Sequence, residues 1–481
     1  MAEPIISQNT SEDNGEQAAL LLWSAWWNAL LALRPAFAQF RVFLWFTVLV
    51  AGITIRTDLL GVSSVIRALR LRSCCYAALL RTIHSNAIRL DTLCALWTSA
   101  VLRFFAAPVR INGRLVLVGD GIKVAKYGKK MPGVKLLHQE SEHKAEFIMG
   151  HSLQAVGLLV EAGKGILSVP LAVRIHEGIV YSNRHKKTLL DKMITLVDIL
   201  AIRQPFYFVA DTYYAARKMI VGLNDRAQHL ITRVRHNAVA NAPYEHHGTR
   251  KRGRPRTYGR KIPVISLLKE PGVFVNSPVY GERDVTLRYV VRDLLWRPVG
   301  KLVRFVAVEH PTRGMCLLMS TDVTLDAVEI IRGYGLRAKI EYAFKQAVHV
   351  IGTFAYHFWM KAMTPLKRGS GDQYLHRKPL AYREAVKRKL HAYHVFLQAG
   401  VIAQGLLHYL AATMPKLVWD SFGSWLQTIR PGVAPSEFVT AEALRRSLPE
   451  FLASSAQHHA WVKFVLKHQR PSTAQALNAA A

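Results

Sequence analysis

The chain has 481 residues, enough for roughly three domains at about 150 residues each. Lys and Arg number 64 against 32 Asp and Glu, a formal charge of +32 that excludes an acidic solvating protein and makes a polyanion the first partner to consider. A hydrophobic fraction of 51% excludes a disordered basic tail protein; the cysteines (Cys74, Cys75, Cys94, Cys316) are too few and too badly spaced for a disulfide framework or a zinc site, and they fit a reducing cytoplasm.

Residues 1–17 are polar and acidic (Glu3, Glu12, Asp13, Glu16), unlike a signal or transit peptide, and read as a disordered tail. From 18 to 109 apolar residues recur three and four apart, which predicts an all-helical region. Its arginines (Arg56, Arg67, Arg70, Arg72, Arg81, Arg89, Arg103) suit either DNA contact, with or without dimerisation, or plain solvation of an exposed face. The most apolar stretch, Val42 to Ile55, falls short of the about 20 residues that span a bilayer and reads as a buried core helix. Neither a longer apolar span nor a basic amphipathic helix is evident, so a membrane partner is not expected.

At 110 the texture changes to an α/β core. Arg114 to Gly119 reads as a short buried strand ending in Asp120-Gly121. Phe147 to Val160 and Gly165 to Val173 are further strand-like runs, and 187–202 returns to helical spacing. Phe206 to Ala210 is a buried strand ending in Asp211; a helix to about Leu223 and a strand, His229 to Val234, follow. The first part of the core thus covers 110–236. Residues 237–300 look like a loop-rich, β-containing basic insertion, after which 301–365 resumes the core with strands at Leu302 to Val308 and Met315 to Ser320 and a helix from about Leu325 past Glu341. The region 366–470 is helical, and 471–481 reads as a frayed tail.

Three carboxylates stand out by position: Asp120 and Asp211 at strand ends and Glu341 on a helix. Two metal ions clamping a phosphoryl group need carboxylates converging from separate elements. Each residue alone also has an ordinary reading, as a turn Asp or a solvated helix Glu. Tyr334, Arg337, Glu341 and Lys345 are spaced three, four and four apart, which puts them on one helix face. Such a stripe either grips phosphates beside a metal site or forms a surface ion-pair row. Arg250, Lys251, Arg252, Arg254 and Arg256 form the most basic run, whose Arg252-Gly-Arg-Pro-Arg256 core has the look of an AT-hook entering a narrow minor groove; the alternative is a solvated loop. His246-His247 reads as loop.

The sequence resembles bacterial insertion-sequence transposases of the DDE type, with a ribonuclease H-like mixed-sheet core interrupted by a β-rich insertion and flanked by all-helical regions. The resemblance rests on the segments Leu115 to Lys123, Phe208 to Tyr213, Lys251 to Gly259, Leu318 to Asp322, Tyr334 to Glu341 and Leu417 to Gly432. It implies that Asp120, Asp211 and Glu341 are the catalytic triad, binding two divalent ions (Mg2+, with Mn2+ able to substitute). It implies cleavage and strand transfer at transposon inverted-repeat ends, a homodimer on two ends and target DNA, and a bacterial, nucleoid-associated cytoplasmic protein. Tyr334 and Arg337 match the family's Tyr, Arg, Glu signature, but Val348 stands where a Lys is expected seven residues after the Glu, and Lys345 is the candidate substitute. The runner-up is a ribonuclease H-like nuclease that cleaves without joining. A non-catalytic, domesticated DNA-binding descendant is the third reading, and the intact carboxylates argue against it.

Overall fold

The computed structural model describes residues 6–139, 145–184, 187–245, 256–423, 428–429, 432–456 and 459–471, with side chains described from residue 17 onward. The N-terminal helices are α1 (Ile6–Leu31), α2 (Phe40–Ile55), α3 (Val62–Ala68), α4 (Cys75–Ile83) and α5 (Leu90–Phe104). Helix α1 starts inside the segment read from composition as a tail, because the helix carrying the buried Trp23 and Trp26 continues outward. Helix α2 is apolar on every side, and its residues Phe43 to Ile55 are all buried, as an all-round hydrophobic helix must be.

The core runs through β1 (Arg110–Ile111), β2 (Arg114–Ala125), β3 (Lys135–His138), β4 (Phe147–Ala162), β5 (Gly165–Ile175), β6 (Ile179–Val180), α6 (Leu189–Ile199), β7 (Phe206–Ala210), α7 (Arg217–Asn224) and β8 (His229–Arg233). Strands β9 (Val239–Pro243), β10 (Tyr258–Pro263), β11 (Val273–Asn276), β12 (Thr286–Trp296), β13 (Lys301–His310) and β14 (Gly314–Ser320) follow. The chain closes with α8 (Ala327–Gly335), α9 (Ala338–Gln346), β15 (Gln373–Tyr374), α10 (Leu380–Thr413), α11 (Pro415–Phe422), α12 (Glu437–Ser454) and α13 (Ala460–His468).

Strands β2, β4 and β5 pair antiparallel, while β7 joins β2 and β8 joins β7 in parallel. The resulting order β5-β4-β2-β7-β8, with α6 and α7 as crossovers, is the ribonuclease H-like arrangement. Strand β14 of the resumed core pairs with β8 and β13 pairs with β14, and the strands of the region read as an insertion, β9 to β12, carry the same sheet outward to 13 strands among the described residues. Along β2 the side chains alternate between two cores. Leu115 and Leu117 enter the larger cluster, shared with α6 and α10, and Val116 and Val118 enter the smaller one, closed by Ile330, Ile331, Leu336 and Ile340 of the α8–α9 segment. Both faces of the parallel strands are therefore covered, which explains their unbroken apolar runs.

The two ends of the chain form one helical body. Trp23 of α1 stacks on Phe451 of α12 and Trp461 of α13, with ring centroids 5.8 and 5.7 Å apart. Helix α10 is long and apolar enough to cross a bilayer by length and composition, but 89% of its apolar window is buried inside the protein, the mark of a core helix. From sequence, Val42 to Ile55 in α2 is the most apolar stretch and no longer apolar span is expected, which α10 corrects.

Candidate active site

Asp120 does not close its strand, as the sequence suggested; it lies within β2, which continues to Ala125 because β4 pairs it as far as Gly150. What ends beside it is the parallel pairing. The last partners across β2 and β7 are Gly119 and Ala210, so Asp120 and Asp211 are the next residues on neighbouring strands. Carboxyl ends of parallel strands are where open α/β sheets place their ligands. Gly119 is required here: a Cβ would lie 2.0 Å from Cζ of Phe208, the buried ring that fills this part of the sheet.

Asp211 caps a 3-10 turn, Thr212–Tyr214, by accepting a hydrogen bond from the Tyr213 amide at 3.1 Å, and its carbonyl accepts one from the Thr232 hydroxyl at 2.7 Å. Tyr214 is buried, and its hydroxyl accepts a hydrogen bond from Gln154 Nε2 at 2.9 Å. Gln154, a lone amide in an otherwise apolar stretch of β4, also contacts the His176 ring. The two residues fix the turn bearing Asp211, and sequence reading missed them. The polar break in the apolar run of β4 was the available signal.

The third carboxylate arrives from the other side. The sequence predicted one helix through Glu341; the structure has two, joined through Leu336 and Arg337 by bonds tightened to three-residue spacing. Gly335 sits at the joint against Val279, 3.2 Å from where its Cβ would be, so the loop between β11 and β12 presses on the break. The joint aims Arg337 at the strands. One guanidinium nitrogen donates to Asp120 Oδ2 at 2.7 Å and the other to Glu341 Oε1 at 2.5 Å. Arg337 and Asp120 are largely buried, whereas Glu341 is exposed.

Burial pushes the Asp120 carboxyl up to about 6; Arg337 and the Gly121 amide pull it down, and the charges of Asp211 and Glu341 push it up again. The Arg337 guanidinium is held above its ordinary value by Asp120 and Glu341 despite burial. Among the described residues no group of three His, Cys, Asp or Glu is drawn close enough to hold a metal ion as it stands, since Arg337 bridges Asp120 and Glu341. The donor set nevertheless fits a hard divalent cation. All three groups are carboxylates, and the charges of Asp211 and Glu341 both act on Asp120.

A family model described as DDE superfamily endonuclease matches residues 44–298, just over half of the chain. This chain is a DDE superfamily endonuclease. Comparison with curated proteins returns no match. The matched region contains Asp120 and Asp211 and stops before Glu341. Nucleases of this superfamily act on DNA and generally use divalent metal ions.

Other residues singled out from the endonuclease's sequence are distributed unevenly. Tyr334 joins the group, lining with Arg337, Arg233, His310 and Cys316 a cavity of about 270 Å³ beside the carboxylates. Lys345 lies exposed one turn beyond Glu341, and Val348 is half-buried against the larger core within a π-helical turn, Ala347–Ile351. Arg256 is elsewhere, packed over the Tyr244 ring at the β9–β10 end of the sheet. That edge is seven strands from β2, on the order of 30 Å at 4.8 Å per strand. Arg250, Lys251, Arg252, Arg254 and His246-His247 lie outside the described residues. Asp322 and Glu329, two acids that precede Glu341 in sequence, are engaged elsewhere: Asp322 accepts from the Tyr207 hydroxyl at 2.6 Å, and Glu329 pairs with Arg332 at 3.0 Å.

Proposed function

We propose that this endonuclease is a cut-and-paste DNA transposase, cleaving at transposon inverted-repeat ends and joining the freed 3′ ends to target DNA. The reading is carried by Asp120 and Asp211 on adjacent parallel strands facing Glu341 through Arg337. Asp120, Asp211 and Glu341 are the residues that hold two Mg2+ ions, whose chemistry when bound is to activate water and then a 3′-hydroxyl and to stabilise the leaving oxygen.

The protein's own groups do the rest. Asp120 works as a carboxylate, so its raised value must be overcome by added positive charge. Arg337 is the exchangeable partner, since a guanidinium fits phosphate as well as carboxylate in a two-pronged contact. Freed from Asp120 and Glu341, it grips a phosphate next to the scissile bond, with Tyr334 beside it. Lys345, exposed one turn on, contacts the DNA further along. The basic run from Arg250 to Arg256 holds DNA away from the cut, and the helical body built from both chain ends supports end recognition and a homodimer that brings two ends together. Such a protein works at the nucleoid in the bacterial cytoplasm. A plain nuclease has less use for that helical apparatus.

The test is cleavage and joining of a labelled transposon-end duplex with Mg2+ or Mn2+, comparing wild type with Asp120→Ala, Asp211→Ala and Glu341→Ala. Each variant is expected to bind DNA yet lose both steps by about a thousandfold or more, the scale of removing an essential transition-state contact. Cutting without joining in the wild type moves the nuclease reading ahead. Activity surviving in one variant removes that residue from the triad.

A further inference from the structure

Beyond Asp120, β2 leads to a surface that the cleavage chemistry does not use. Residues 123–139 and 355–371 contain no Asp or Glu and carry Lys123, Lys126, Lys129, Lys130, Lys135, Lys361, Lys367 and Arg368. The two segments are laced together: the Met360 amide donates to the Lys130 carbonyl at 2.9 Å, Leu366 to Lys129 at 2.7 Å, and Leu136 to Ser370 at 2.8 Å. Lys126 is buried beneath them, its ammonium donating to the carbonyls of Phe354 and Tyr356 and lying 3.7 Å from the Tyr356 ring centroid. The foundation is therefore fixed.

On top of it sit two large rings in water. Tyr127 is 89% exposed and Trp359 is 67% exposed. They are neighbours: Gly128 lies so close under the indole that a Cβ there would be 3.1 Å from Trp359 Nε1. Among the described residues, no carboxylate pairs with Lys129, Lys130, Lys361, Lys367 or Arg368 around them. Exposed rings interleaved with unpaired cations form the surface that stacks bases while holding phosphates. A duplex hides its base faces and offers only edges and backbone.

We infer that this surface binds an unpaired stretch of DNA strand, with Tyr127 and Trp359 stacking bases and Lys129, Lys130, Lys361, Lys367 and Arg368 following the phosphates. The inference deepens the transposase reading and rests on its DNA substrate. Lys126, just past the end of β2, lies six residue steps beyond Asp120, about 20 Å at 3.3 Å per residue. A strand opened at the cut reaches the platform within roughly six nucleotides of 3.4 Å each.

The test is fluorescence anisotropy of the full chain with a labelled oligothymidylate and with its duplex, in EDTA so that no chemistry intervenes. Wild type is expected to prefer the single strand. Tyr127→Ala and Trp359→Ala are each expected to weaken single-strand binding about tenfold, while Tyr127→Phe and Trp359→Phe retain it. Lys129→Glu with Lys130→Glu should weaken both DNAs. Equal losses on single strand and duplex in the ring variants, or none on either, overturn the inference. So does a change in oligomeric state in those variants by light scattering, which makes the surface a contact between copies. Because metal is absent, the result stands apart from the cleavage test: end cleavage with an inert platform sinks only this inference, and stacking without cleavage sinks only the transposase reading. Both rings project into solvent, so their removal should leave the thermal melt in place, and the Phe variants check this.

Discussion

The two halves of the 13-stranded sheet obey different rules. In the parallel half every residue of β7 is buried, whereas in the antiparallel half no residue of β10 is. Helices cover both faces of β2 and β7; β12 and β10 meet water and carry exposed cations such as Arg292, Arg260 and Lys261. Acidic side chains fare accordingly. Asp120, in the covered half, has its carboxyl pushed up to about 6 by burial. Asp293 of β12 lies partly in water, with Arg304 beside it at 2.7 Å. The covering layers, more than the residue type, set the protonation of a carboxyl.

The sharpest break of that comparison is a pair of glycine substitutions. Gly119→Ala places a methyl group 2.0 Å from Phe208 in the covered half and should cost about 3 kcal/mol in a denaturant melt. Gly314→Ala, with open space around it but φ at +70°, should cost about 1 kcal/mol from backbone strain alone. Equal costs would mean that the covered half repacks as freely as the exposed one.

A second prediction concerns charge. The native state holds the Asp120 proton more tightly than the unfolded chain, since about 6 lies above the ordinary 3.8. Metal-free stability should therefore fall as pH rises from about 4 through about 6. Asp120→Asn lacks that fall and should exceed wild type by about 2 kcal/mol at neutral pH, with no difference below pH of about 4. Added Mg2+ should raise the melting temperature of wild type and not of the variant. At the exposed end, Arg292→Ala removes a 2.7 Å pair with Glu270 and should change stability by less than about 1 kcal/mol, less still in high salt.

The covered half was also the legible half. Two-sided burial writes Leu115 to Val118 and Phe206 to Ala210 as continuous apolar runs, and a carboxylate interrupting such a run is visible in one dimension. The Arg337–Glu341 contact was legible from its four-residue spacing, but the Arg337–Asp120 contact joins residues 217 apart and exists only once α9 packs on β2. The break between α8 and α9 was hidden because helical periodicity survives a tightened turn. Helix α10 was legible as helix but not as a long apolar span, because its first turns are polar and charged (Arg383, Glu384, Lys387). Lys126 defied the expectation that lysines are exposed, since its burial depends on carbonyls from a segment more than two hundred positions away.

The union of the chain's two ends has a consequence in time. Helix α2 packs on its chain neighbours α3 and α4 but also on α10, α12 and α13, so part of its apolar surface stays uncovered until most of the chain has left the ribosome. At 5–20 residues per second the delay is on the order of twenty to eighty seconds. Throughout that interval the nascent protein is a substrate for chaperones, and a product truncated before α10 keeps a hydrophobic helix that α3 and α4 cover only in part.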